Sequence, residues 1–263
     1  MGRLTGADAR KIMKSNPVIL LPMGSQEDQG PHAPMGDYLL AERIAELAAH
    51  RAQAGGVPAY VAPVIPYGGD DFFRPAMGGM VLEHSTMTAL LTDIVSSLID
   101  TGLNRVIMIN GHGGNVNPMF LVARKIYRKT GIVVPSIYLW EAAYGMLPDI
   151  VGAEATAKRS GHGADPLGSV GLHLMPELIR AEYFPERRPL KTDPLLGLPF
   201  TNLGRARLGD ITIGLPNDYT DTYNDGVAAG DPRLCDPATG AEITNRLITA
   251  ISDLAALLFR KTK

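Results

Sequence analysis

The first strong pattern in the chain is a short unbroken apolar run, Val18 to Pro22, preceded by Pro17. A run this short with both faces apolar predicts a buried strand. A loop rich in Gly and Pro follows from Met23 to Gly36. From Tyr38 to Ala54 the period changes. Leu39, Leu40, Ile44, Leu47 and Ala48 share one helical face, and Gly55-Gly56 stops the helix. The cycle then repeats. Tyr60 to Ile65 reads as a strand, at a sheet edge because Pro63 cannot donate to a ladder. Pro66 to Gly79 is a second loop, with aromatic and acidic residues. Ser85 is the expected N-cap of a helix reaching Ile99, which Gly102 ends. Arg105 to Ile109 reads as a third buried strand, with a turn, Asn110 to Asn115, at its carboxyl end. Pro118 to Lys129 reads as a helix and Ile132 to Leu139 as a fourth strand.

This alternation predicts an α/β class: a single-domain layered fold whose mostly parallel central sheet is flanked by helices. Ligands of such sheets sit at the carboxyl ends of the strands. The loops after the first and third strands occupy that position. Leu167 to Ala181 reads as a helix, and Glu242 to Phe259 as an amphipathic one with Ile243, Leu247, Ile251, Leu254 and Leu258 on one face. Residues 182–240 are rich in Pro, Gly and Asp. A compact domain seldom holds so long a plain loop, so short strands or an oligomer contact are expected there. One domain over 1–263 is the reading.

Charge and composition narrow the partners. The chain has 25 basic and 27 acidic residues, a net charge of -2, so no basic surplus exists to neutralise phosphates, and nucleic acid is not an expected partner. No apolar run approaches the roughly 18 residues of a membrane span, so no membrane partner is expected either. The N-terminal segment lacks the apolar core of a signal peptide. The single cysteine, Cys235, excludes an internal disulfide and fits a reducing compartment, so a cytoplasmic location is expected.

The chemistry lies in the loops. Of six histidines, His32, His112 and His162 sit beside Gly or Pro in polar loops, together with Glu27, Asp28, Asp37, Asn115 and Asp165. Imidazoles and carboxylates arriving from separate loops suit a divalent metal. His50 and His173 fall on helices and His84 beside a helix start, and all three read as structural. No phosphate-loop or dinucleotide fingerprint is present.

Four segments, in order, carry a family resemblance. Leu21-Pro-Met-Gly-Ser-Gln-Glu-Asp-Gln-Gly-Pro-His-Ala-Pro-Met-Gly-Asp37 resembles the signature of the creatininase (creatinine amidohydrolase) family. Ile109-Asn-Gly-His-Gly-Gly-Asn115 resembles its second motif, and Gly161-His-Gly-Ala-Asp-Pro-Leu-Gly-Ser169, less closely, its third. Gly226-Val-Ala-Ala-Gly-Asp-Pro232 is similar to its last block. The resemblance implies an α/β fold, homo-oligomers assembled as hexamers, and metal-dependent hydrolysis of C–N bonds in cyclic amides, formamides or peptides. It implies one metal on Glu27, Asp37 and His112. A second metal would take the histidine that stands here as Gln29, the shared aspartate and a further acid, for which Asp165 is the nearest candidate. Because Gln29 is a poor ligand, one ion is favoured over two, with His32 as a possible replacement ligand. Zinc or manganese is expected, with iron as a third option. The family's Trp and Glu before the third-motif histidine correspond to Lys158 and Gly161, which argues against creatinine as the substrate.

The expected function is therefore amide C–N hydrolysis of a small polar molecule by metal-activated water. By the same resemblance, His162 is the candidate for protonating the leaving nitrogen, and His32 is the alternative, as ligand or orienter. Asn115, Asp28, Arg74 and Lys158 are candidate substrate contacts, and the adjacent cations Lys158 and Arg159 suit a carboxylate- or phosphate-bearing substrate. Two other classes use the same residues: a non-catalytic binder of a small ligand, and a metal-dependent lyase or isomerase.

Overall fold

The computed structural model describes residues 1–70, 72–222 and 225–261. Residue 71 of the second loop, residues 223–224 of the 182–240 segment and the last two residues of the 1–263 span lie outside the described residues. The elements are α1 (Gly6–Met13), β1 (Val18–Met23), α2 (Asp37–Ala54), β2 (Ala59–Val61), β3 (Gly68–Gly69), β4 (Val81–Leu82), α3 (His84–Asp100), β5 (Val106–Asn110), α4 (Val116–Thr130), β6 (Ser136–Tyr138), α5 (Leu139–Val151), α6 (Ala153–Arg159), α7 (Leu167–Leu174), β7 (Phe200–Asn202), β8 (Arg205–Leu208), β9 (Ile211–Gly214), α8 (Tyr219–Thr222) and α9 (Pro237–Lys261).

The central sheet is parallel throughout, in the order β2-β1-β5-β6. Every residue of β1 and β5 is buried. Alternation of side chains sends them to two cores. Val18, Leu20, Ile107 and Ile109 pack against α2, α5, α7 and α9. Ile19, Leu21, Met23, Val106 and Met108 pack against α3 and α4 on the other face. Helices on both faces explain why these strands read as continuous apolar runs. β2 is an edge strand and Pro63 falls just beyond it.

Leu20 is fully buried in the centre of this sheet. Leu20→Ala is expected to cost about 2–5 kcal/mol, the range for a large-to-small change in a packed core. Chemical denaturation measures it.

Several boundaries differ from the sequence reading. The inward face of α2 is an alanine stripe, Ala41, Ala45, Ala48, Ala49 and Ala52, with Leu40 and Ile44, while Leu39 and Leu47 are only partly buried. α3 starts at His84, and Glu83, not Ser85, is its N-cap. The fourth strand is only Ser136–Tyr138, and Leu139 opens α5. α7 stops at Leu174 because Pro176 has no N–H and clashes with a continuing helix. The 182–240 segment holds short strands, as expected: β7, β8 and β9 form an antiparallel sheet. Its turns use Gly204 and Gly209 at positive φ, 61° and 56°, where a side chain would be strained.

Candidate metal centre

The loop after β1 and the turn after β5 bring Glu27, Asp37 and His112 together at the carboxyl ends of the two central strands. Asp37 is the first residue of α2. The ligand atoms of the three lie within 4.8 Å of one another, and all three residues are buried. His112 Nδ1 is 2.7 Å from Glu27 Oε2 and 3.6 Å from Asp37 Oδ2. The backbone N–H of Ser25 donates to Asp37 Oδ1 at 2.6 Å. A Cβ on Gly24 would collide with the Asp37 carboxylate and with the backbone of Tyr38, so glycine is required for this approach.

His112 Nε2 is 3.1 Å from the carbonyl oxygen of Gly69. That contact makes Nε2 an N–H, so Nδ1 is the ring atom turned to the two carboxylates, and in a neutral ring it would meet them with its lone pair. Only a cation between them, a proton or a metal, relieves this arrangement. Two carboxylates and one imidazole suit a hydrolytic divalent ion, because three protein ligands leave positions open. The residues present fit such an ion.

His162 stands beside the triad. Its Nδ1 is 2.6 Å from the carbonyl oxygen of Gly226, so Nδ1–H donates there and Nε2 faces Glu27 Oε1 at 3.5 Å. Phe73 stacks on its ring, with centroids 4.5 Å apart, and Tyr219 stacks on Phe73 at 5.3 Å. These contacts fix the imidazole plane. Gln29 Nε2 donates to Glu27 Oε1 at 2.8 Å. Burial pushes both carboxyls of the triad up. For Asp37 it dominates, aided by the Glu27 charge, and the group stands at about 7. For Glu27, His112 and His162 outweigh burial and hold the carboxyl below its usual range.

The other residues singled out from the sequence are placed elsewhere. Among the described residues, no other group of three metal-ligating side chains forms. Asp165 does not join the triad: Arg159 Nε donates to its Oδ2 at 2.6 Å and the Ser169 N–H to its Oδ1 at 3.2 Å. A fully buried carboxylate beside Arg159 is a structural ion pair. His32 packs on Phe184, with centroids 4.6 Å apart, and burial pushes it down to about 4, so its ring is neutral at pH 7. It does not line the cavity above the triad. Asn115 is buried and its side chain binds Gly69 N, Gly24 O and Asn110 Oδ1, holding the turn. Asp28 accepts from the Gly30 N–H, a local turn bond. Lys158 pairs with Glu154 on the surface, and Arg159 binds Asp165 and Asp236. Neither cation lines the cavity. Arg74 does not line it either, but binds Asp70, which does.

That cavity, about 760 Å³, also takes in His84, Asp70, Phe72, Phe73, Asn117, Tyr138, Trp140 and Tyr144, none of which sequence reasoning placed at the site. Buried Trp140 Nε1 has no hydrogen-bond partner among the described residues. The aromatic residues of the Pro66–Gly79 loop were the available signal for part of this wall. Thr201, Asn202 and Leu203, from β7 and the turn after it, complete another part.

The fold and site define an α/β protein with a parallel central sheet and a candidate metal site, two buried carboxylates and an imidazole, at its strand ends. The chain belongs to the creatininase family, whose profile, described as creatinine amidohydrolase, matches residues 2–255. A mycofactocin precursor peptide peptidase from Mycobacterium tuberculosis (strain CDC 1551 / Oshkosh) is 30% identical over 125 residues, 45% of this chain and 49% of that protein. The match thus spans about half the length of that relative. A 3-dehydro-scyllo-inosose hydrolase from Thermotoga maritima is 27% identical over 230 residues, 80% of this chain and 70% of that protein. A solved creatinine amidohydrolase (creatininase) structure superposes with a TM-score of 0.76 at 22% identity, covering 100% of this chain and 98% of that one. At that identity the likeness speaks for the fold. Among the described residues no helix is long and apolar enough to cross a membrane.

Proposed function

We propose that this protein is a metal-dependent amidohydrolase cleaving an amide C–N bond of a small polar molecule, with one zinc or manganese ion held by Glu27, Asp37 and His112. The observation that carries this reading is the convergence of His112 Nδ1 with two buried carboxylates, with Nε2 committed to Gly69. A divalent ion supplies there a lowered pKa for water and polarisation of a carbonyl. One ion is favoured because Gln29 presents its N–H to Glu27, and Asp165 is committed to Arg159. Hydrolysis adds a water oxygen to the carbonyl carbon and releases the nitrogen, which needs a proton because an amide anion is a very poor leaving group. His162 takes a proton from the attacking water at Nε2 and passes it to the leaving nitrogen, with the ring oriented by Gly226 and Phe73. Exposed Leu195, Leu196, Leu208 and Ile211 in the 182–240 segment suit a subunit contact in a homo-oligomer, with the hexamer resting on the family resemblance and a cytoplasmic location on the single cysteine.

The test is a panel of cyclic amides, formamides and short peptides, assayed with chelated protein and with protein reloaded with zinc or manganese. Turnover is expected only in the reloaded protein, with one oxygen of labelled water in the product. Metal-dependent turnover without label would instead indicate a lyase or isomerase.

Ion binding must expel the proton that Asp37 carries below about 7. Apparent affinity is therefore expected to be level above that pH and to weaken by about tenfold per unit below it. Calorimetric titration with manganese across the range checks the sign. Binding that tightens as pH falls would contradict it.

A further inference from the structure

The wall of the cavity has a charge preference of its own. Its aromatic surface, with Phe72, Tyr138, Trp140 and Tyr144, carries no Lys or Arg among the described residues. Its carboxylates are Glu27, Asp37 and Asp70. The first two belong to the triad, and Asp70 is left over. It directly follows Gly69, whose carbonyl holds His112, so the end of β3 sets this carboxylate on the wall close to the reacting centre. Arg74 donates to Asp70 Oδ2 from Nε at 2.8 Å, and its NH2 group lies 2.7 Å from the same oxygen. Asp70 Oδ1 accepts no hydrogen bond among the described residues and is itself shielded from solvent, while the side chain as a whole keeps 26% of its surface. Arg74 is shared with Glu83 at 2.7 Å, so Asp70, Glu83 and Arg74 together carry one surplus negative charge. A partly exposed carboxylate of incompletely balanced charge, on the wall of a cavity that aromatic rings also line, is complementary to a cation. The volume of about 760 Å³ also exceeds what a single small ring fills.

We propose that Asp70 makes this cavity select amides that carry a positively charged amine on an apolar or aromatic body. The word amide rests on the amidohydrolase reading, but the selection by charge does not. Asp70 is thus a specificity residue, and Arg74 positions and partly neutralises it.

Trp140, the single tryptophan of the chain, lines the cavity and reports its occupancy by fluorescence. Zinc-loaded protein is titrated with two probes of similar size. One is N,N,N-trimethylphenylalaninamide, whose fixed cation cannot ligate metal, and the other is neutral N-acetylphenylalaninamide. The cationic probe is expected to bind about tenfold tighter or better. Asp70→Asn is expected to abolish most of that preference while leaving the neutral probe unchanged, and Arg74→Gln to widen it. Equal binding of the two probes, no saturable response to the cation, or a preference that survives Asp70→Asn overturns the proposal. Should Asp70→Asn fold poorly, an unchanged preference in Arg74→Gln overturns it as well. Charge selection in a protein that hydrolyses no amide with either metal would sink the amidohydrolase reading and leave this one standing. Hydrolysis without charge selection would do the reverse.

Discussion

His112→Ala is expected to lose the metal ion and the activity together. The imidazole is the only nitrogen donor among the three ligands, and its removal leaves Glu27 and Asp37 as a buried pair of carboxylates. With Asp37 already raised to about 7 by burial, such a pair holds a proton in place of an ion. Changes to groups that only support a ligand typically cost 10–100-fold in metal affinity, so loss of the ligand itself is expected to exceed about 100-fold. The fold should persist, because His112 lies in the turn after β5 and not in either core. Elemental analysis and turnover, with circular dichroism as the check on folding, measure the three quantities. A folded variant that keeps its ion and its rate would place the metal elsewhere.

His162→Ala is expected to keep the ion and lose about 100-fold or more in kcat, the scale of a positioned general acid or base. The geometry separates the two histidines. Nδ1 of His112 lies against both triad carboxylates, whereas His162 spends Nδ1 on Gly226 and stands 3.5 Å from Glu27. Its side chain keeps 17% of its surface, enough to meet a ligand in the cavity. Metal content within error of the wild type with depressed turnover is the predicted pair of results. Loss of the ion would make His162 a ligand, and unchanged turnover would remove it from the proton transfer.

Much of the scaffold was legible in the sequence because β1 and β5 are apolar on both faces and their ends are marked by Gly and Pro. The loops that hold the triad were legible for a related reason, since polar loops that follow buried strands are where ligand-binding groups of such sheets gather. Only the family resemblance singled out Glu27, Asp37 and His112 from Asp28, His32, His162 and Asp165 in the same kind of loop. Other features carried no such mark. The apolar run through Ile132–Leu139 hid the change from β6 to α5, since period alone cannot separate a short buried strand from a helix start. The strands β7 to β9 are three or four residues long and mostly exposed, too short for any periodicity. Asp165 looked like a ligand because the family resemblance implies an acid from the third motif and Asp165 is the nearest one. Its real partner, Arg159, lies six residues earlier and was read as a substrate contact. Asp70 had no motif at all, and only the folding of β3 against the turn after β5 reveals it.

Metal content per chain, by elemental analysis of freshly purified protein, tests the central claim most directly. The account predicts close to one zinc or manganese per chain, lost in His112→Ala and retained in His162→Ala. A wild-type protein without metal, which takes up neither zinc nor manganese when they are supplied, would contradict it.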